Sequence, residues 1–71
     1  MSADPIQVIV NGEVKQIFPP YTITGLLEGI GWKATQVVVE HNGRVLPRAE
    51  LGVTTITNGD RIEIILPVAG G

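Results

Sequence analysis

The residues best placed to do chemistry stand at the end of the sequence, where "RIEIILPVAGG" runs from a β-type stretch through Pro67 into Val68, Ala69, Gly70 and Gly71. The group they offer is the carboxylate of Gly71. Glycine has no Cβ, so Gly70 and Gly71 let the backbone enter a narrow channel and approach bound phosphates, where a side chain would block the way. Pro67 cannot donate to a ladder and ends the strand where the reach begins. Extended, residues 67–71 span roughly 16–18 Å, enough to carry the carboxylate into a partner's active site while the body docks outside.

Other candidates carry less. His41 is the single histidine, just before an Asn-Gly pair, and reads as a solvated strand-end residue. Ser2 lies near the N-terminus, so no triad is indicated. Glu40, Glu50, Asp60 and Glu63 read as surface charges, since nothing in the pattern supplies the desolvation a general acid or base needs. With no cysteine, disulfides, thiolate metal sites and a cysteine nucleophile are excluded. No metal ligand set is indicated, and no Walker or dinucleotide spacing occurs. Arg44 and Arg48 could meet an acidic partner surface.

At 71 residues the chain is one domain with a small core. The formal charge is −2 and the five Lys and Arg residues are scattered, so no basic stripe awaits nucleic acid. Residues 1–5 lack a basic segment followed by an apolar core, and no apolar run approaches the roughly 18 residues of a membrane span. The expected location is the cytoplasm.

The elements that must position the tail are marked by three Asn-Gly pairs, at residues 11–12, 42–43 and 58–59. Both residue types tolerate the positive φ of tight hairpins. The first pair separates "IQVIV" from "VKQIF", which predicts strands near 6–10 and 14–18, stopped by Pro19-Pro20. Ile23, Leu26, Leu27 and Ile30 then recur at helical spacing, with Thr22 or Thr24 as N-cap and Gly31 closing the helix. Gly25 and Gly29 weaken it by roughly 1 kcal/mol each relative to Ala, so its stability must come from packing on a sheet. "QVVVEHNGRVL" predicts a strand, a turn and a short returning strand, and "DRIEIIL" predicts the last strand.

One helix covers one face of a sheet and leaves the other open. Alternation puts Val8, Val37, Val39, Ile62, Ile64 and Leu66 inward. It turns Ile9, Val38 and Ile65 outward among polar neighbours, where they are expected to form a small apolar patch.

The β, β, α, β, β, β order, "HNGRVLPR", "NGDRIEI" and the final "VAGG" resemble the ThiS family, the small sulfur carriers of thiamine biosynthesis. The resemblance implies an α+β, ubiquitin-like β-grasp fold: a mixed sheet of about four to five strands with one helix packed on one face. It implies a globular domain over residues 1–66 and a flexible, extended tail over 67–71. It also implies that the chain is a carrier and not an enzyme. A ThiF-like adenylyltransferase of the ubiquitin-activating type would use ATP and Mg to adenylate Gly71. A sulfur donor protein would then supply the sulfur of a terminal thiocarboxylate, and a ThiG-like thiazole synthase would receive it. The ending is also similar to that of the related molybdopterin synthase small subunit, and a ubiquitin-type protein modifier would share it. A plain interaction domain remains the alternative without tail chemistry.

Overall fold

The computed structural model describes residues 4–67. Five strands and one helix follow in the order β1 (Ile6–Val10), β2 (Glu13–Ile17), α1 (Ile23–Ile30), β3 (Val38–His41), β4 (Arg44–Val45) and β5 (Arg61–Ile65). Two short 3-10 turns, Ala34–Gln36 and Arg48–Glu50, fill the connections. The sheet order is β2-β1-β5-β3-β4. β1 and β5 are parallel and the other pairs antiparallel. The last strand is therefore central, and the sheet is mixed, as the β-grasp resemblance implies.

Both hairpins use two-residue turns. Asn11 (φ 50) and Gly12 (φ 83) join β1 to β2, and Asn42 (φ 52) and Gly43 (φ 86) join β3 to β4, the two successive positive φ values of type I′ turns. Thr22 caps α1, its Oγ1 accepting from the Gly25 N–H at 3.1 Å. Gly31 (φ 99) ends the helix, with its N–H on the Leu27 and Glu28 carbonyls.

Ile23, Leu26 and Leu27 of α1 pack on Val8, Val10, Ile17, Val37, Val39 and Ile62 of the sheet side, with Leu46, Leu51 and Ile56 closing the core. Trp32 packs at its edge. Two residues expected inside lie outside. Ile30 is exposed at the last turn of α1, where it borders the open spaces beside β2 and not the closed core. Leu66 is 52% exposed, because the ladder stops at Ile65 and strand alternation no longer directs it.

Candidate functional site

The candidate tail chemistry depends on where β5 releases the chain, and side-chain amides anchor β5 near both ends. At its start, Asn42 Oδ1 accepts the Arg61 N–H at 2.8 Å, and the Asn42 N–H donates to the Arg61 carbonyl at 2.8 Å. Along its length it is laddered to β1 and β3. Near its end β1 has already turned away, and the Asn11 side chain takes over. Its Oδ1 accepts the Ile64 N–H at 2.8 Å and its Nδ2 donates to the Ile64 carbonyl at 3.3 Å.

The third pair acts alike. Asn58 Oδ1 accepts the Gln7 N–H at 2.9 Å, while the Gly59 N–H donates to the Gln7 carbonyl at 2.7 Å. Each Asn-Gly pair thus makes a turn and also binds a strand elsewhere in the sheet. The sequence marks the turns, but nothing local reveals the second task.

Asp60, immediately before β5, is the hub of a polar cluster. His41 Nε2 lies 2.7 Å from its Oδ2, and Asn42 Nδ2 donates to Oδ1 at 3.2 Å. The Thr57 N–H donates to Oδ2 at 2.9 Å and the Thr57 hydroxyl to Oδ1 at 3.0 Å. Burial acts to raise the Asp60 pKa, but the Thr57 N–H, His41, Asn42 and the Thr57 hydroxyl outweigh it and bring the value from 3.8 down to about 2. These donors favour the ionised form. His41 and Asp60 are accordingly not the solvated surface groups that their sequence positions suggest; the turn at residues 57–60 folds back over the β3–β4 hairpin and covers both. Their role is to hold the start of β5, since an ionised carboxylate saturated with donors has no lone pair aimed at a substrate.

Beyond Ile65 the chain leaves between the Asn11-Gly12 turn and the start of β3. Pro67 is exposed there. Leu66 borders a hollow of about 290 Å³ with apolar walls from Ile30, Trp32, Val37 and Ile64 and polar ones from Glu13 and Lys15. Val68, Ala69, Gly70 and Gly71 lie outside the described residues.

On the open face, Val38 and Ile65 are cross-strand partners, 38% and 43% exposed. Ile9 is not with them. It pairs with Val14 on one side and Arg61 on the other, four residues back from Ile65, or about 13 Å along the strands. The expected single patch is therefore two: Val38 with Ile65 at the chain's exit, and Ile9 with Val14 near the β2 edge. Between them stands the acidic pair Glu40 and Glu63, with exposed Val45 beside Glu40. Val45 escaped the sequence reading because a two-residue strand shows no alternation.

Arg44 and Arg48 lie off this face. Arg44 pairs with His41, whose parity is that of buried Val39, and its Nη2 reaches Glu50 Oε1 at 3.3 Å. Arg48 is exposed at the start of the second 3-10 turn. Among the described residues no group of three or more His, Asp or Glu could hold a metal ion, and no helix is long and apolar enough to cross a membrane.

The model of the ThiS family matches residues 8–71. The chain belongs to the ThiS family. A solved relative is the thiamine biosynthesis protein ThiS from Geobacter metallireducens, which is 32% identical and superimposes with a TM-score of 0.77, covering 93% of this chain and 100% of that one. A computationally designed protein based on human erythrocytic ubiquitin is 25% identical with a TM-score of 0.56, covering 96% of each chain, and marks the fold as ubiquitin-like. A thiazole synthase from Paramagnetospirillum magneticum is 27% identical over 66 residues, which make up 93% of this chain and 20% of that protein. The chain spans about a fifth of the length of the thiazole synthases it matches. The ThiS match extends four residues past the described structure and takes in Gly70 and Gly71.

Proposed function

We propose that this chain is a sulfur carrier of thiamine biosynthesis, with the carboxylate of Gly71 as its only reacting group. The observation that carries the reading is the ThiS match running through Gly71. A ThiF-like activating enzyme transfers AMP from Mg-ATP to the carboxylate with release of pyrophosphate, and sulfur delivered at the sulfide level from a donor protein attacks the acyl carbon and expels AMP, leaving a thiocarboxylate. A ThiG-like thiazole synthase accepts that sulfur.

The last partner draws support from the relatives, in which a segment similar to this chain makes up 20% of a protein named thiazole synthase. The thiamine names among the relatives also favour this pathway over molybdopterin synthesis. In this reading the chain is a co-substrate and shuttle working in the cytoplasm, and the ATP, the Mg and the catalytic side chains belong to its partners. Val38 and Ile65, beside the exit, and Pro67, Val68 and Ala69 give the partners a body to dock and a narrow tail to thread. In this reading Arg44 and Arg48, both exposed, supply a second, polar contact.

The test is a reconstituted assay with the activating enzyme, a sulfur donor and thiazole synthase. Deleting Gly71, or replacing Gly70 by Val, should abolish thiazole formation while the circular dichroism spectrum stays unchanged. Undiminished product from either variant would contradict the proposal.

A further inference from the structure

Gly29 has no structural reason to be glycine. It sits in the interior of α1 with helical backbone, and a Cβ built there meets nothing within 4 Å. Gly25, one turn earlier, differs: its Cβ would lie 2.9 Å from the Pro20 carbonyl oxygen. What the missing side chain at Gly29 does is open a groove of about 520 Å³ between α1 and β2, lined by Lys15, Ile17, Phe18, Leu26, Gly29 and Ile30. That volume lies within the range of roughly 300–1,000 Å³ of ligand sites. Its walls are open and combine apolar Ile17, Phe18, Leu26 and Ile30 with polar Lys15 and Gln16, Phe18 being 59% exposed.

One side of the groove is a sheet edge. β2 is an outermost strand. The two-residue turn makes Val10 and Glu13 a hydrogen-bonded pair, so by alternation Val8 with Lys15 and Ile6 with Ile17 are bonded pairs as well. The N–H and C=O groups of Val14 and Gln16 therefore point away from the sheet. Consistently, Ile9 and Asn11 of the neighbouring strand donate the other way, to Asp60 and Ile62. Among the described residues these groups have no backbone partner, and a row of such groups beside a groove is what an added strand requires.

Lys15 sets the charge. It shares the helix-side face with Ile17 and Val8, borders the groove and takes part in no ion pair among the described residues.

We propose that the β2 edge and this groove form a docking site for an extended peptide segment of another protein, added antiparallel to β2. Its alternate residues are apolar where they enter beside Ile17 and Gly29, and acidic opposite Lys15. Backbone bonds to Val14 and Gln16 give affinity, and the groove and Lys15 select the side chains. The groove shares Lys15 and Ile30 with the hollow beside Leu66 but lies on the sheet face opposite the Val38–Ile65 patch, and the proposal does not rest on the sulfur-carrier reading.

The probe is the blocked peptide TVTITDT, whose second, fourth and sixth residues face one side, titrated into the ¹⁵N-labelled chain. The expected result is saturable shifts confined to residues 13–18 and 25–30. Gly29→Leu, whose Cβ meets open space and which favours the helix, should occupy the groove and weaken binding by about tenfold or more while the melting temperature does not fall. Lys15→Glu should lose TVTITDT and gain the swapped peptide TVTITKT. Absence of saturable shifts, shifts on the open face, or undiminished binding by a folded Gly29→Leu variant would overturn the proposal. So would concentration-dependent pairing of two copies through β2 that excludes the peptide, since it names a different occupant.

Discussion

Asn11 and Ile64, 53 residues apart in sequence, are joined by two hydrogen bonds from one side-chain amide, at 2.8 and 3.3 Å. The residue that makes the first turn thereby also fastens the last strand, one step before the chain departs toward Gly71.

The two tasks of Asn11 separate by substitution. Asn11→Gly keeps the positive φ and removes the amide, and should cost about 1–2 kcal/mol in urea unfolding. Asn11→Ala should cost roughly 1 kcal/mol more, from the left-handed backbone. In both variants the Ile64 amide should exchange faster with solvent. Protection unchanged at Ile64 would show that the clamp holds nothing.

Asp60 makes stability depend on acid. Its folded pKa, about 2, lies below the ordinary 3.8, so its contribution is complete above about pH 4 and is lost as pH falls through 2. The contribution is on the order of 1–2 kcal/mol. Asp60→Asn should lower stability at neutral pH and flatten the decline between pH 4 and 2, as read by chemical unfolding at each pH. A wild-type slope retained by the variant would assign the acid sensitivity elsewhere.

The two helix glycines should respond with opposite sign. Gly29→Ala meets open space and should stabilise by roughly 1 kcal/mol through helix propensity. Gly25→Ala places its Cβ 2.9 Å from the Pro20 carbonyl oxygen and should destabilise despite the same propensity gain, because backbone must shift. Thermal melts of the two variants decide this.

Much of this architecture is legible in the sequence, and the parts that are not share a cause. The Asn-Gly pairs, the spacing of Ile23, Leu26 and Leu27, and the alternation in β5 are local patterns, and local patterns specify local elements. The register of β1 against β5 is not local: they are joined across the whole chain, and only their pairing shows that Ile9 lies beside Arg61 and away from Ile65. The same holds for His41 and Asp60, 19 residues apart, whose contact exists only once a loop has folded over a hairpin. Ile30 fits its helical period and is nonetheless exposed, since periodicity gives a direction but not how closely neighbours pack over a residue, and Leu66 lies past the end of the ladder that alternation describes.

Docking and chemistry are predicted to be separable at the exit. Ile65→Arg puts a charge on the exposed side of β5, so stability should change by no more than about 0.5 kcal/mol. Affinity for the activating enzyme should fall by about 1–3 kcal/mol if Ile65 is a central contact. Calorimetric titration of the two proteins reads this directly. Unchanged affinity would remove the Val38–Ile65 pair from the docking surface.

The most direct measurement is intact mass spectrometry of the chain after incubation with a competent activating enzyme, Mg-ATP and a sulfur donor. The expected result is replacement of one oxygen by sulfur, localised by fragmentation to the Gly71 carboxyl and absent when ATP is withheld. An unmodified Gly71 under those conditions, or sulfur found at any other residue, would contradict it.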